Sequence, residues 1–177
     1  MRDMVLSMSL LAVVALVLFG MYGGVSFSPG QATEGQAPTA DVTGGLTRAA
    51  PLVGFPVVIP DGVPATWNPS SFSFTDKSAA TTQQPSAVRA GYLTDQGRFI
   101  TVIQSDGVVA DILAAEVGTV SPPTGTEQVG DAEWTVTSGR RDEVVWLRTV
   151  GDVTFLITGT AAPEDFRSLA LAVAPAS

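Results

Sequence analysis

The stretch Glu133–Val173, EWTVTSGRRDEVVWLRTVGDVTFLITGTAAPEDFRSLALAV, decides the fold. Trp134 and Val136 alternate with Glu133, Thr135 and Thr137. Ser138-Gly139-Arg140-Arg141-Asp142-Glu143 supplies a turn, Val144–Val150 returns, Gly151-Asp152 makes a two-residue turn, and Val153, Phe155 and Ile157 alternate along a third run. Period-two alternation broken by turn residues predicts an antiparallel meander of three strands. Pro163, at a first helical position, and Glu164 and Asp165, at the positive end of the helix dipole, then open a helix. Its stripe of Phe166, Leu169, Ala170 and Val173 is suited to lie across the sheet, worth about 5 to 8 kcal/mol of gross transfer energy.

Upstream, Ala87–Leu93 and Phe99–Gln104 form a hairpin around Thr94–Arg98, with Gly97 free to take the positive φ of such a loop. Val88, Ala90 and Tyr92 share a face, as do Ile100 and Val102. Phe99 and Ile103 lie on the opposite face, so this strand is expected to be covered on both sides. A helix follows from about Val108 to Val117, with Ser105 or Asp106 as its N-cap and Val109, Ile112, Leu113 and Glu116 in one stripe. Strands in succession with helices interspersed predict an α+β domain, an antiparallel sheet with two packed helices. Its expected bounds are 51–177, opening with a short strand at Val57, Val58 and Ile59 between Pro56 and Pro60.

Residues 23–50, rich in Gly, Pro, Thr, Ala and Gln, bury too little surface to offset their ordering entropy and read as a flexible linker. Before them, Met4–Tyr22, MVLSMSLLAVVALVLFGMY, has no charged residue. At about 1.5 Å of rise per residue it reaches about 28 Å, close to the hydrocarbon thickness of a bilayer. Residues 1–22 are therefore expected to be a transmembrane anchor. A signal peptide is the rival, but the nearest small-x-small pattern, Gly30-Gln31-Ala32, lies well beyond the apolar run. Arg2 before the span, with Arg48 the next basic residue, places the N-terminus in the cytoplasm and the domain outside.

Composition narrows the chemistry. With no cysteine and no histidine, the chain lacks thiol nucleophiles, imidazole bases and the usual zinc, copper and haem ligands. A net charge of −8 repels nucleic-acid phosphates, and the arginines are scattered rather than gathered in a stripe, so no nucleic-acid partner is expected. Carboxylates come in pairs, Asp131 with Glu133, Asp142 with Glu143, Glu164 with Asp165. Glycoside hydrolysis would need two of them facing one cleft, one kept protonated by burial. Asp142-Glu143 sits instead beside Arg140-Arg141 at an expected hairpin tip, and Glu164-Asp165 answers the helix dipole. No catalytic residue, cofactor or metal is assigned.

Three residues are candidates for partner binding. Arg140 and Arg141 present two planar forks suited to an acidic partner or a lipid phosphate, against the plainer role of a hairpin tip neutralised by its neighbouring acids. Trp67, beside Pro64 and Pro69, is a ligand platform or an aromatic clamp sealing a small core.

Further features occur in a characteristic order: Arg2-Asp3-Met4 opening into the span, Pro60-Asp61-Gly62 with Trp67 downstream, and Gly91-Tyr92-Leu93-Thr94 before Gly97. They continue through Gln104-Ser105, Gly130 with Trp134, and Thr158-Gly159-Thr160 followed by Phe166 and Leu169. In these the chain resembles a family of uncharacterised actinobacterial single-span membrane proteins defined as a domain of unknown function. The resemblance implies a cell-envelope location and assigns no activity; Ala162 departs from it where a serine or threonine cap is expected before Pro163. The expected function is a non-catalytic accessory or docking subunit of a membrane or cell-envelope complex. The alternatives are a tethered carrier or sensor with a pocket for a lipid or small metabolite, and more remotely a carboxylate hydrolase. A carrier calls for a cavity of about 300–1,000 Å³, a docking subunit for a filled core and an exposed apolar patch.

Overall fold

The computed structural model describes residues 39–81, 83–118, 121–140 and 143–174. They form an α+β domain: helix α1 (Val42–Val53), strands β1 (Asn68–Thr75), β2 (Ala87–Leu93) and β3 (Phe99–Ser105), helix α2 (Val109–Glu116), strands β4 (Gly125–Val129), β5 (Ala132–Ser138), β6 (Val144–Val150) and β7 (Val153–Gly159), and helix α3 (Pro163–Ala172). The seven strands make one antiparallel sheet in the order β1-β2-β3-β7-β6-β5-β4. The hairpin and the meander read from the sequence thus join through β3 and β7, with Val102 opposite Ile157 and Ser105 opposite Thr154.

Alternation sorts the side chains onto two faces. Val88, Ala90, Tyr92, Ile100, Val102, Trp146, Phe155 and Ile157 face α1 and α3 in the larger core. Ala87, Ile103, Val145 and Leu156 meet Ile112 and Val117, from α2 and the residue after it, in a smaller one. The expected double coverage of β3 follows from this division. Phe166, Leu169, Ala170 and Val173 are all buried, and Trp146 stands 5.5 Å from Phe166 and 6.4 Å from Trp134, ring centre to ring centre. Glu116, the acidic member of the α2 stripe, faces the sheet because Arg89 meets it there: Arg89 Nε donates to its carboxylate at 2.9 Å, and Nη1 to Thr75 Oγ1 at 3.2 Å.

Four expectations need correction. Residues 42–50, read as part of the linker, belong to α1, which raises the helices from two to three. Asp41 caps α1 by accepting from Gly44 N–H at 2.9 Å, and Val42, Leu46, Ala49 and Val53 form its buried stripe. The signal was masked by small residues that serve packing: a Cβ on Gly45 would lie 2.5 Å from the Phe72 ring. The strand expected at Val57–Ile59 is irregular chain, because Pro56 and Pro60 remove ladder donors. The expected three-strand meander gains a fourth strand, β4, which pairs Gly125 with Val136 through Val129 with Ala132. Helix α2 starts from Val108 with no side-chain cap, rather than from Ser105 or Asp106. At α3, the cap that Ala162 lacks is half replaced by Asp165, whose carboxylate accepts from the Ala162 N–H at 3.1 Å.

Among the described residues no helix is long and apolar enough to cross a membrane. The anchor expected at residues 1–22, and the linker up to residue 38, lie outside the described residues.

Candidate functional site

Among the described residues, Trp67 and Arg140 lie in different parts of the fold. Trp67 is buried and tilted against Tyr92 with ring centres 6.1 Å apart, the packing of a clamp, and together with Tyr92 and Pro64 it also lines a cleft of about 330 Å³. Arg140 is exposed and lies over the C-terminal end of α2, its backbone N–H donating to Val117 O at 3.2 Å and its guanidinium above Gly118, where a Cβ would sit 2.6 Å from Nη2. A cation there complements the helix dipole. Arg141 and Asp142 lie outside the described residues. Asp131, Glu133, Glu143 and Glu164 are all exposed.

The feature that draws several elements together is a cleft of about 550 Å³, within the range of ligand sites. It opens at the end of the sheet where β3 stops and β6 turns into β7. Its apolar surfaces come from Phe55, Pro56 and Val58 on one side and Val150, Val153 and Phe155 on the other, with Lys77, Asp106 and Asp152 also lining it.

Buried polar side chains hold these walls in place. The amide of Gln104, fully buried at the end of β3, grips the backbone of Val58 twice: Val58 N–H donates to Oε1 at 2.8 Å, and Nε2 donates to Val58 O at 2.6 Å. A side chain so substitutes for the neighbouring strand that the prolines forbid. Ser86 Oγ donates to Val53 O at 2.8 Å, fixing the end of α1 next to Gly54. Ser105 Oγ donates to Ser86 O at 2.6 Å and accepts from Gly107 N–H at 3.1 Å, holding the loop that carries Asp106. Thr149 and Thr154 hydroxyls meet at 3.1 Å beneath the Gly151-Asp152 turn. Of the buried polar residues Ser86, Thr94, Gln104, Ser105, Thr137 and Thr154, four therefore brace this one cleft.

Lys77 is positioned from two directions. Its N–H donates to Leu52 O at 3.1 Å, and the preceding Asp76 carboxylate accepts from Ser78 Oγ at 2.6 Å and Ala79 N–H at 2.8 Å. The Ser78 hydroxyl is the main cause that holds the Asp76 carboxyl below its ordinary pKa, helped by the Ala79 N–H. Gly54, at φ +79°, leaves room for the lysine stem, since a Cβ there would lie 2.7 Å from Lys77 Cδ.

Lys77, Asp106 and Gln104 were not among the residues expected to bind. A readable signal existed for Gln104: Ile100, Val102 and Gln104 share one face of β3, so a polar side chain occupies an inward position. Nothing local announces Lys77 and Asp106, which the fold brings to the cleft from loops 29 positions apart.

Neither the comparison with curated proteins nor that with solved structures returns a match. The order of small motifs, the three-helix α+β domain and the tryptophans at positions 67 and 134 accompany a match over residues 1–173 to the family described as protein of unknown function DUF4245, and the chain belongs to that family.

Proposed function

We propose that this chain is a membrane-tethered protein of the cell envelope that acts by binding, holding a small ligand in the cleft between the Gly54–Val58 segment and the β6–β7 turn. The observation that carries this reading is the bracing of an apolar cleft by Gln104, Ser86, Ser105 and Thr154. Burying polar groups costs desolvation, which the hydrogen bonds repay only in fixed geometry, and a fixed wall lowers the entropy lost when a ligand enters. The apolar run Met4–Tyr22 supplies the tether, with the N-terminus inside, the domain outside and an actinobacterial envelope as its setting.

The docking-subunit reading has its own support. Ile59 and Leu171 are exposed apolar side chains in two segments tied by the hydrogen bond from Asp61 N–H to Ala172 O, and a partner protein of the envelope complex would sit on them.

One experiment separates the two. A photoreactive phenylalanine analogue at Val150, beside the cleft, and another at Leu171 are irradiated in native membranes. Small-molecule adducts at position 150 are the expected result; reproducible protein crosslinks confined to position 171 favour docking, and a clean protein at both counts against either reading. A reporter fused after Ser177 is expected to be active only outside the cytoplasm, and cytoplasmic activity reverses the topology.

A further inference from the structure

The charges of the cleft identify the class of molecule that fits it. Its walls are apolar, so a fully hydrophilic solute would gain little from Phe55, Val58, Val153 and Phe155. Its charged residues are one cation and two anions, Lys77 with Asp106 and Asp152. A plain anion approaching a chain of net charge −8 is repelled at a distance and meets two carboxylates for one ammonium. A plain cation is welcomed by that field but opposed by Lys77, the single lysine of the chain, held here by the Asp76 turn and by the space over Gly54. A head group carrying both signs is nearly indifferent to the overall field and is matched by a mixed rim.

We propose that the cleft takes a small zwitterionic amphiphile, its apolar body against Phe55, Val58, Val153 and Phe155, its anionic group toward Lys77 and its cationic group toward Asp106 and Asp152. The assignment rests on the cleft being the binding site. A phospholipid head group with short chains and a peptide with free termini and apolar side chains share this chemistry.

The full chain, held in nonionic amphipol, is titrated calorimetrically with dihexanoyl phosphatidylethanolamine below its micellar concentration. Parallel titrations use dihexanoyl phosphatidic acid for the anion alone, dihexylamine for the cation alone, dihexanoyl glycerol for neither, and leucyl-phenylalanine for the peptide source. Saturable binding of a zwitterion at least about five-fold tighter than either singly charged probe is expected, the upper end of what an exposed ion pair contributes. Whichever zwitterion binds identifies the source.

Lys77→Met is expected to weaken zwitterion and anion about equally, by about five-fold, and to tighten the cation, which the ammonium no longer opposes; Asp152→Asn is expected to weaken zwitterion and cation and to tighten the anion. Equal affinity for charged and neutral probes, or a Lys77→Met chain that binds the zwitterion unchanged, overturns the zwitterion assignment while the cleft survives as a site. If no probe shows binding that Val150→Trp abolishes by filling the cleft, the cleft itself is overturned as the site.

Discussion

The two ends of the sheet are closed by different physics. At the end where β2 turns into β3, Trp67 packs on Tyr92 and the Trp67 backbone N–H donates to Pro64 O at 2.9 Å, so a tilted aromatic pair and prolines seal the edge of the larger core. Both rings also line a smaller cleft of about 330 Å³, with Asp41, Val42, Val63 and Pro64. At the opposite end, buried hydroxyls and one amide hold the loops while apolar surface is left open to about 550 Å³. Burying aromatic surface stabilises without fixing particular backbone atoms, because the hydrophobic effect is non-directional. Hydrogen bonds from buried side chains add little net stability, roughly 0.5–1.5 kcal/mol each, but set the position of the chain they grip. One end is thereby a seal and the other a frame.

The comparison is broken most directly at the seal. Trp67→Ala is expected to cost about 3 kcal/mol of stability, since it deletes a buried ring from a close-packed site. Urea unfolding measures it, and below the transition ligand binding at the far cleft should persist. If that binding is lost, the two ends are not independent.

At the frame, Gln104→Ala removes both bonds to Val58 and leaves the partly buried Val58 N–H and C=O without that partner, at an expected cost of about 2 kcal/mol. Unlike Trp67→Ala, it is expected to loosen the cleft wall, so that hydrogen exchange accelerates at the Val58 amide more than at the neighbouring strands. Unchanged exchange there, with the same loss of stability, would make Gln104 a core residue and nothing more.

How much of this was legible in the sequence follows from the same division. The meander, the β2–β3 hairpin and α3 were readable because their apolar residues keep the period of the element, from Trp134 to Ile157 and from Phe166 to Val173. Trp67 was readable as a clamp because a tryptophan among prolines has few other uses in a small domain. Helix α1 was not, since Gly44, Gly45 and Pro51 are poor helix formers and only tertiary packing against Phe72 and the sheet selects it. The cleft was invisible for a related reason: Lys77 and Asp106 come from separate loops, and their meeting depends on the Gln104, Ser86 and Ser105 hydrogen bonds that no local pattern encodes.

Acidity and alkalinity sharpen the contrast from the side of the seal. Burial pushes the Tyr92 hydroxyl up to about 12 from its ordinary value near 10. A raised folded-state pKa means that, between about pH 10 and 12, the unfolded chain has lost a proton the folded chain keeps. Stability contributed by neutral, buried Tyr92 is complete below pH 10 and declines as pH rises toward about 12, by about 1.5 kcal/mol once solvent near the ring edge is allowed for. Tyr92→Phe should remove that decline, seen as the difference between the two chains in urea midpoints at pH 9 and pH 11.5.

The smallest expected effect on stability falls on the frame and tests its function most finely. Gly54 sits at φ +79°, where an L side chain costs about 1 kcal/mol, so Gly54→Ala should lower stability by about that amount. The added Cβ would come within 2.7 Å of Lys77 Cδ, and because the lysine stem is flexible it swings aside rather than straining the fold. The ammonium is then displaced from the cleft although no charge has been removed. Gly54→Ala is therefore expected to reproduce the binding loss of Lys77→Met for a zwitterion and, like that variant, not to weaken a cation, at a stability cost too small to account for the loss. Should Gly54→Ala bind the zwitterion as the parent chain does, the placement of Lys77 by this glycine has no part in recognition.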